Sequence, residues 1–286
     1  MRLYTTTRGV ARENPDGTLG LLDLPYQDVG ALICAGHLHT AATSRVIETV
    51  TKNEVPLAPL ITRPGKIIAV GLNYASHAEE AREKFASIGR HDVHMPTEPN
   101  VQIVAGSAVI GDRQPVILPP AAADHVDYEG ELAVVIGHGG FAIPTDRAWE
   151  HVAGLTIVND ISARDIQQRA YAGDTAASIG VAKSFDTFKP LGPCLVTHDE
   201  FAGDIDLRLQ ARVNGEVRQD DRTGNLLHPI PNLIAYISQY QTLEPGDVIA
   251  TGSPRGAGQF MDRYLRPGDL IEVSIERIGV LTNSVQ

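Results

Sequence analysis

Three acidic residues stand where a hard metal ion would need them. In VDYEGELAVVIG, residues 126–137, Glu129 and Glu131 are two apart, and in a strand side chains two apart point to the same face. They would project together at the mouth of a strand that continues as buried LAVVIG. Two like charges held close in a partly buried place repel, and ionised burial is expensive; a divalent cation resolves both problems. The alternative is a solvent-facing edge with two unrelated glutamates, and spacing alone does not decide between them. In LTIVNDISARD, residues 155–165, an apolar strand runs into Asn159-Asp160, with a helix expected from near Ser162. Asp160 is either a cap or turn residue or a third carboxylate at a strand end. Three carboxylates, with waters and substrate oxygens, suit Mg²⁺, Mn²⁺ or Ca²⁺ rather than the nitrogen- and sulfur-rich sites of zinc.

Three further segments carry chemistry. In GLNYASHAEEA, residues 71–81, His77 and Glu80 are three apart and share a helix face. A carboxylate beside an imidazole fixes its tautomer and raises its basicity, which makes a general base for water; an inconsequential surface pair has the same spacing. In VAKSFDTFKPLGP, residues 181–193, Lys183 follows a loop of small residues and is either a fixed charge for an enolate or oxyanion or a snorkelling surface lysine. In IATGSPRGAG, residues 249–258, small residues and Thr251 allow close backbone approach to a ligand. The segment lacks the GxxxxGK[ST] pattern of a phosphate loop, and a plain tight turn is the competing reading.

The elements that must position these groups read as β-rich. From Lys66 onward short apolar runs alternate with Gly/Pro punctuation: KIIAV, PVIL, LAVVIG, LTIVND, LRLQARV, VIATG and LIEVSI. Helical patterns are few, at about 74–86, 146–152, 163–171 and 230–240. The pattern predicts an α+β catalytic domain over 64–286, closing into a barrel or roll. Pro245-Gly246-Asp247 and Pro267-Gly268-Asp269 fit tight turns between strands of one sheet. Residues 1–63 read as a separate small α+β module: a hairpin around Asn-Pro-Asp-Gly, a helical stretch at about 29–52, and a proline-spaced linker at 56–64.

Composition narrows the function. The 286 residues are 43% hydrophobic and carry 35 acidic against 24 basic side chains, a formal charge of −11. Without a Lys/Arg cluster, such a chain is a poor partner for nucleic acid or an anionic membrane. It has neither an apolar run of the roughly 18 to 20 residues that a membrane helix needs nor a secretory h-region at its start. Cys34 and Cys194 are expected to be reduced packing residues of a cytoplasmic protein.

In this order, the motifs GLNYASHAEE, DYEGELAVVIG, NDISARD, AKSFDTFKPLGP, NGEVRQ, LIAYISQYQTLEPGDVIATGSP and PGDLIEVSIERIG resemble the fumarylacetoacetate hydrolase superfamily, over about residues 64–283. The resemblance implies a β-rich roll, usually a homodimer, and Mg²⁺, Mn²⁺ or Ca²⁺ on Glu129, Glu131 and Asp160. It makes His77 and Glu80 the lid-borne pair of the acylpyruvate hydrolase branch and Lys183 the family lysine. Arg164, Gln167 and Thr251 become substrate-binding, with Tyr74 beside the lid pair expected to join them. Residues 1–63 resemble the N-terminal module of longer members.

Two positions depart from the family pattern. Val104 stands where members carry a lysine, which puts a carboxylate contact on that side in doubt. His228 stands in a stretch that is usually apolar, either as a new pocket group or without consequence. The segment 86–100 is long for the lid and could shape a pocket for a larger or less charged substrate; its His91 and His94 read as solvated loop residues. The expected reaction is metal-dependent hydrolysis of a carbon–carbon bond in a small 1,3-diketone or acylpyruvate-type oxo-acid, in aromatic or cyclic-compound catabolism. Oxaloacetate decarboxylation or tautomerisation, hydroxymuconate-type isomerisation, and binding without catalysis are the alternatives.

Overall fold

The computed structural model describes residues 1–87, 97–201 and 205–286, the side chain of residue 85 excepted; His91 and His94 lie outside the described residues. The chain opens with strands β1 (Arg2–Thr6), β2 (Gly9–Glu13) and β3 (Leu19–Leu22), helix α1 (Val29–Cys34) and strand β4 (Val46–Val50). The next stretch carries β5 (Ile67–Gly71), α2 (Ala75–Ser87), β6 (Asn100–Val104), β7 (Val109–Ile110), β8 (Val126–Asp127) and β9 (Gly130–Ile136). Then come β10 (Val152–Asn159), β11 (Ser162–Ala163), helices α3 (Arg164–Tyr171) and α4 (Ile179–Ala182), and β12 (Lys189–Thr197). The chain ends with β13 (Arg208–Val213), β14 (Glu216–Arg222), α5 (Ile230–Ser238), β15 (Val248–Ala250), α6 (Gly258–Met261), β16 (Leu270–Ile275) and β17 (Gly279–Ser284).

The class is α+β and β-rich, as expected. Eleven strands form one mixed sheet whose pairing path runs β4-β3-β2-β1-β12-β10-β9-β15-β5-β6, with β7 paired to β12. A second sheet, β14-β13-β16-β17, is antiparallel throughout. Strand β9 reads as a continuous apolar run because both of its faces are covered. Leu132, Val134 and Ile136 join the core shared with Leu209, Val273 and Ile275 of the second sheet and with Leu233 and Ile237 of α5. Ala133 and Val135, on the other face, pack in the cluster that holds Val29, Leu32 and Ile33 of α1. Among the described residues no helix is long and apolar enough to cross a membrane.

Residues 1–63 supply four strands to the same large sheet: β1 pairs antiparallel with β12, Leu3 opposite Leu195. The helix expected over 29–52 is only α1, a short 3₁₀ turn at Leu38–Ala42, and β4. Asp28 caps α1 through Ala31 N at 2.6 Å, but the apolar face lasts one turn, and the β-branched Val-Ile-Glu-Thr-Val run pairs with β3 instead. PVIL makes only a bridge, Val116 with Val285, bracketed by prolines that cannot donate to a ladder. The two Pro-Gly-Asp segments do not join strands of one sheet. Each lies between a helix and a strand, and those strands, β15 and β16, belong to different sheets. Cys34 is exposed rather than apolar in setting, Cys194 is buried, and both thiols are free.

Shared pairing makes the fate of the first strand a test of domain independence. Leu3 is fully buried, so Leu3→Ala should cost about 2–5 kcal/mol and lower the melting temperature of the whole chain in one calorimetric transition. A second, separate transition would show that the first 63 residues melt alone.

Candidate metal centre

The antiparallel ladder of β9 and β10 places Glu131 opposite Val158 and Gly130 opposite Asn159. Asp160, one residue beyond, donates its N–H to Glu129 O at 2.8 Å. Glu129, Glu131 and Asp160 are all buried, and each offers a carboxylate oxygen within 4.8 Å of the others. The intervening glycine faces the second sheet: a Cβ on Gly130 would stand 2.9 Å from Val273 Cγ1 and 3.2 Å from Ala211 Cβ. The Glu-Gly-Glu pattern therefore combines two inward carboxylates with close packing behind them.

Cations surround two of the three carboxylates. Lys183, at the C-terminal end of α4, donates from Nζ to Glu129 Oε2 and Ser162 Oγ at 2.8 and 2.9 Å and also to Asp160 Oδ2. Arg164 lies 2.8 Å from both Asp127 Oδ2 and Glu129 Oε1 and donates to Gln167 Oε1 at 2.6 Å. Burial pushes the Glu129 carboxyl up, but Arg164 and Lys183 outweigh it and hold it well below the usual range. Burial likewise opposes ionisation of Asp160, and Lys183 with Lys189 reverses the effect. Glu131 differs. Burial, then the charges of Asp160 and Glu129, drive its carboxyl well above the ordinary range. Its Oε2 accepts the Gly252 N–H at 2.7 Å, and among the described residues it has no ion-pair partner. A buried carboxylate with one amide and no cation, converging with two others, is the donor set a divalent ion fits.

The His77–Glu80 pair stands beside this centre. Helix α2 brings His77 Nδ1 within 3.4 Å of Glu80 Oε2, and His77 Nε2 lies 4.0 Å from Glu129 Oε1. The Gly256 N–H reaches both Glu80 oxygens at 3.0 and 3.1 Å, an approach that needs glycine, because a Cβ there would lie 1.9 Å from Arg218 O. Phe260 meets the imidazole edge-on, centroids 5.4 Å apart. His77, Glu129, Glu131, Arg164, Gln167 and Lys183 line one cleft of about 510 Å³, with Leu72, Asn100, Gln102, Gln168, Tyr171 and Phe260 around them.

The remaining sequence candidates fall elsewhere. The Thr251 hydroxyl donates to Leu132 O at 2.9 Å and does not line the cleft; its segment contributes through the Gly252 and Gly256 amides. The buried Tyr74 hydroxyl has no partner among the described residues and is also outside the lining. Val104 is in the core, so the cleft-facing positions of β6 are Asn100 and Gln102. His228 grips Asn73 through its backbone, N to Oδ1 at 2.8 Å, and does not reach the cleft. Two groups escaped the sequence reading. Asp127, fully buried, accepts from the Gly258 and Gln259 amides at 2.7 and 3.0 Å and fixes Arg164; it extends the two-residue alternation of Glu129 and Glu131 by one step. Lys189 is fully buried against Asp160, and nothing local to FKPLGP distinguishes it from an exposed lysine.

The sequence model of a family described as "Fumarylacetoacetate (FAA) hydrolase C-terminal" matches residues 66–286. The chain is 40% identical over 246 residues to "Oxaloacetate tautomerase FAHD2A, mitochondrial" of Bos taurus, covering 85% of this chain and 74% of that one. Its fold matches the crystal structure of a putative HpcE protein from Mycobacterium smegmatis with a TM-score of 0.85 and 35% identity, over 100% of this chain and 99% of the other. It also matches maleylpyruvate hydrolase from Sphingobium sp. SYK-6, a complex with manganese(II) ion and pyruvate, with a TM-score of 0.77 and 26% identity, over 100% and 98%.

Glu131→Gln should leave a folded protein that no longer responds to metal. At a Mn²⁺ concentration about 100 times its Kd, the parent gains about 2.7 kcal/mol, a rise of several degrees in Tm, and the variant gains none. The folded protein holds the Glu131 proton above its ordinary range, so without metal this group's stabilising contribution is lost as pH rises through the raised pKa. Metal competes with that proton, so the Mn²⁺-induced Tm shift should grow from pH 5 to pH 8. A shift that is flat with pH, or retained in the variant, counts against Glu131 as a ligand.

Proposed function

The chain belongs to the fumarylacetoacetate hydrolase family, and from that premise we propose a divalent-metal-dependent enzyme that takes a small 2-oxo acid through its enolate. The reaction that fits best is keto–enol tautomerisation of an oxaloacetate-type diacid, with Mg²⁺ or Mn²⁺ as the ion. The observation that carries the reading is the convergence of three buried carboxylates and one cleft-facing ammonium, Lys183, on a single spot. The name of the 40% identical relative favours tautomerisation, and the Mn²⁺ and pyruvate in the maleylpyruvate hydrolase favour a 2-oxo acid.

A divalent ion on the three carboxylates supplies Lewis acidity toward the 2-oxo acid's oxygens. Lys183 is a fixed positive charge for the oxygen that becomes anionic when a proton leaves C3. His77 takes that proton and delivers it to the oxygen, so C–H and O–H are the only σ bonds broken and formed while the double bond shifts from C2=O to C2=C3. Glu80 orients the imidazole, and the Gly256 amide orients Glu80. All three Arg164 nitrogens already face protein oxygens, so its part is to hold Glu129 and Gln167. The Gln167 amide nitrogen, with Asn100 and Gln102, supplies neutral donors for the substrate's far end.

The His77–Glu80 pair also supports a second reading, hydrolysis of a 1,3-diketone or acylpyruvate. His77 would then deprotonate water, the hydroxide would add to one carbonyl, and the carbon–carbon bond would break, with Lys183 holding the departing enolate. The two readings separate in labelled water. With oxaloacetate and Mn²⁺, the tautomerase speeds decay of the enol absorbance and incorporates deuterium at C3. His77→Ala should lower that rate by about 10²–10⁴-fold. With an acylpyruvate in ¹⁸O water, label in the released carboxylate together with an unaccelerated oxaloacetate enol would replace the first reading by the second.

A further inference from the structure

Lys189, the first residue of β12, is fully buried. Its Nζ donates to Lys183 O at 2.6 Å, Phe188 O at 2.9 Å and Ile161 O at 3.2 Å. The same nitrogen lies 2.8 Å from Asp160 Oδ1. Three backbone carbonyls thus take the protons of this ammonium and pin it, and its charge stands as an ion pair against one oxygen of a candidate metal ligand, an oxygen that has no hydrogen-bond partner among the described residues. Lys183 contacts the other oxygen, Oδ2, but from the cleft side, which it lines and Lys189 does not.

We infer that Lys189 is a positioning residue that restricts Asp160 to ligation through one oxygen and so biases the centre against Ca²⁺ in favour of Mn²⁺ and Mg²⁺. This rests on the metal-centre reading of Glu129, Glu131 and Asp160. Ca²⁺ takes six to eight oxygens and reaches the higher numbers by taking some carboxylates through both oxygens, whereas Mg²⁺ demands six in near-octahedral order. A carboxylate that binds an ion through both oxygens must turn both toward it. Asp160 cannot do so while Oδ1 stays on Lys189, and Lys189 cannot follow without breaking its three bonds to the chain. The effect concerns which ion is held rather than whether one is held.

The test needs no substrate. Mn²⁺ binding to the full chain is read from the free-ion EPR signal, and Ca²⁺ is titrated in competition. Wild type should bind Ca²⁺ more weakly than Mn²⁺ by roughly tenfold or more, and Lys189→Met should narrow that ratio by roughly tenfold, the scale of effect seen when a partner that holds a metal ligand is removed. Lys189→Gln, which keeps a donor for the carbonyls and removes the charge, serves if the methionine variant does not fold. An unchanged ratio in a folded variant overturns the inference. So does a wild-type crystal soaked with Mn²⁺ that has both Asp160 oxygens on the ion; one oxygen on the ion supports it. If wild type binds no Mn²⁺, the metal-centre reading fails and takes this inference with it. If Mn²⁺ binds and the ratio does not move, only this inference fails.

Discussion

Three buried carboxylates within 4.8 Å of one another are the constraint that the surrounding structure answers. At an effective dielectric of about 20, each pair of ionised groups at that distance repels by on the order of 3 kcal/mol, before any cost of burial. Two of the three charges are answered by the protein: Glu129 by Arg164 and Lys183, Asp160 by Lys183 and Lys189. Arg164 is itself balanced by Asp127. Glu131 is left with a backbone amide, and its proton is held accordingly. The imbalance is local to one residue, Glu131, and it is there that the triad has room for the charge of a divalent ion.

Backbone geometry makes that crowding possible. Strands β9 and β10 are antiparallel neighbours, so the end of one lies beside the start of the other, and Asp160 meets Glu129 across the last rung. The segment after β15 then crosses the same end of the sheet and gives one amide to Glu131 and another to Glu80. A single loop of small residues thereby ties the His77–Glu80 pair to the carboxylates. Helix α2 is drawn to the same place by Ser76 on Asp221, at 2.6 Å.

Side chains whose placement follows from local periodicity were legible in the sequence as candidates; those placed by distant partners were not. Alternation put Glu129 and Glu131 on one face and helical spacing did the same for His77 and Glu80, without deciding what either pair does. The resemblance of ordered motifs then joined Asp160 and Lys183 to them. Thr251 drew notice as a hydroxyl, yet its oxygen belongs to Leu132 O and its neighbours' amides do the contacting. Lys189 carried no local signal, because its burial arises only when the head of β12 is seated between β7 and β10. The helix expected over 29–52 failed for the same kind of reason: Val46–Val50 is short and amphipathic enough for either state, and an available edge on β3 decides it.

Strand β12 begins at Lys189, pairs with β10 on one side near the end that leads to Asp160, and pairs with β1 on the other. β1 meets β12 near its far end, Leu3 opposite Leu195, whereas Lys189 at its head is paired to Val109 of β7. With β1 in place, Leu3 and Leu195 are sealed in one apolar cluster with Leu191 and the α1 residues Leu32 and Ile33. The N-terminal strands line no part of the cleft and anchor the far end of β12, while β7 pairs with the end whose first residue lies against Asp160. The first 63 residues thus extend the large sheet without contributing a side chain to the cleft.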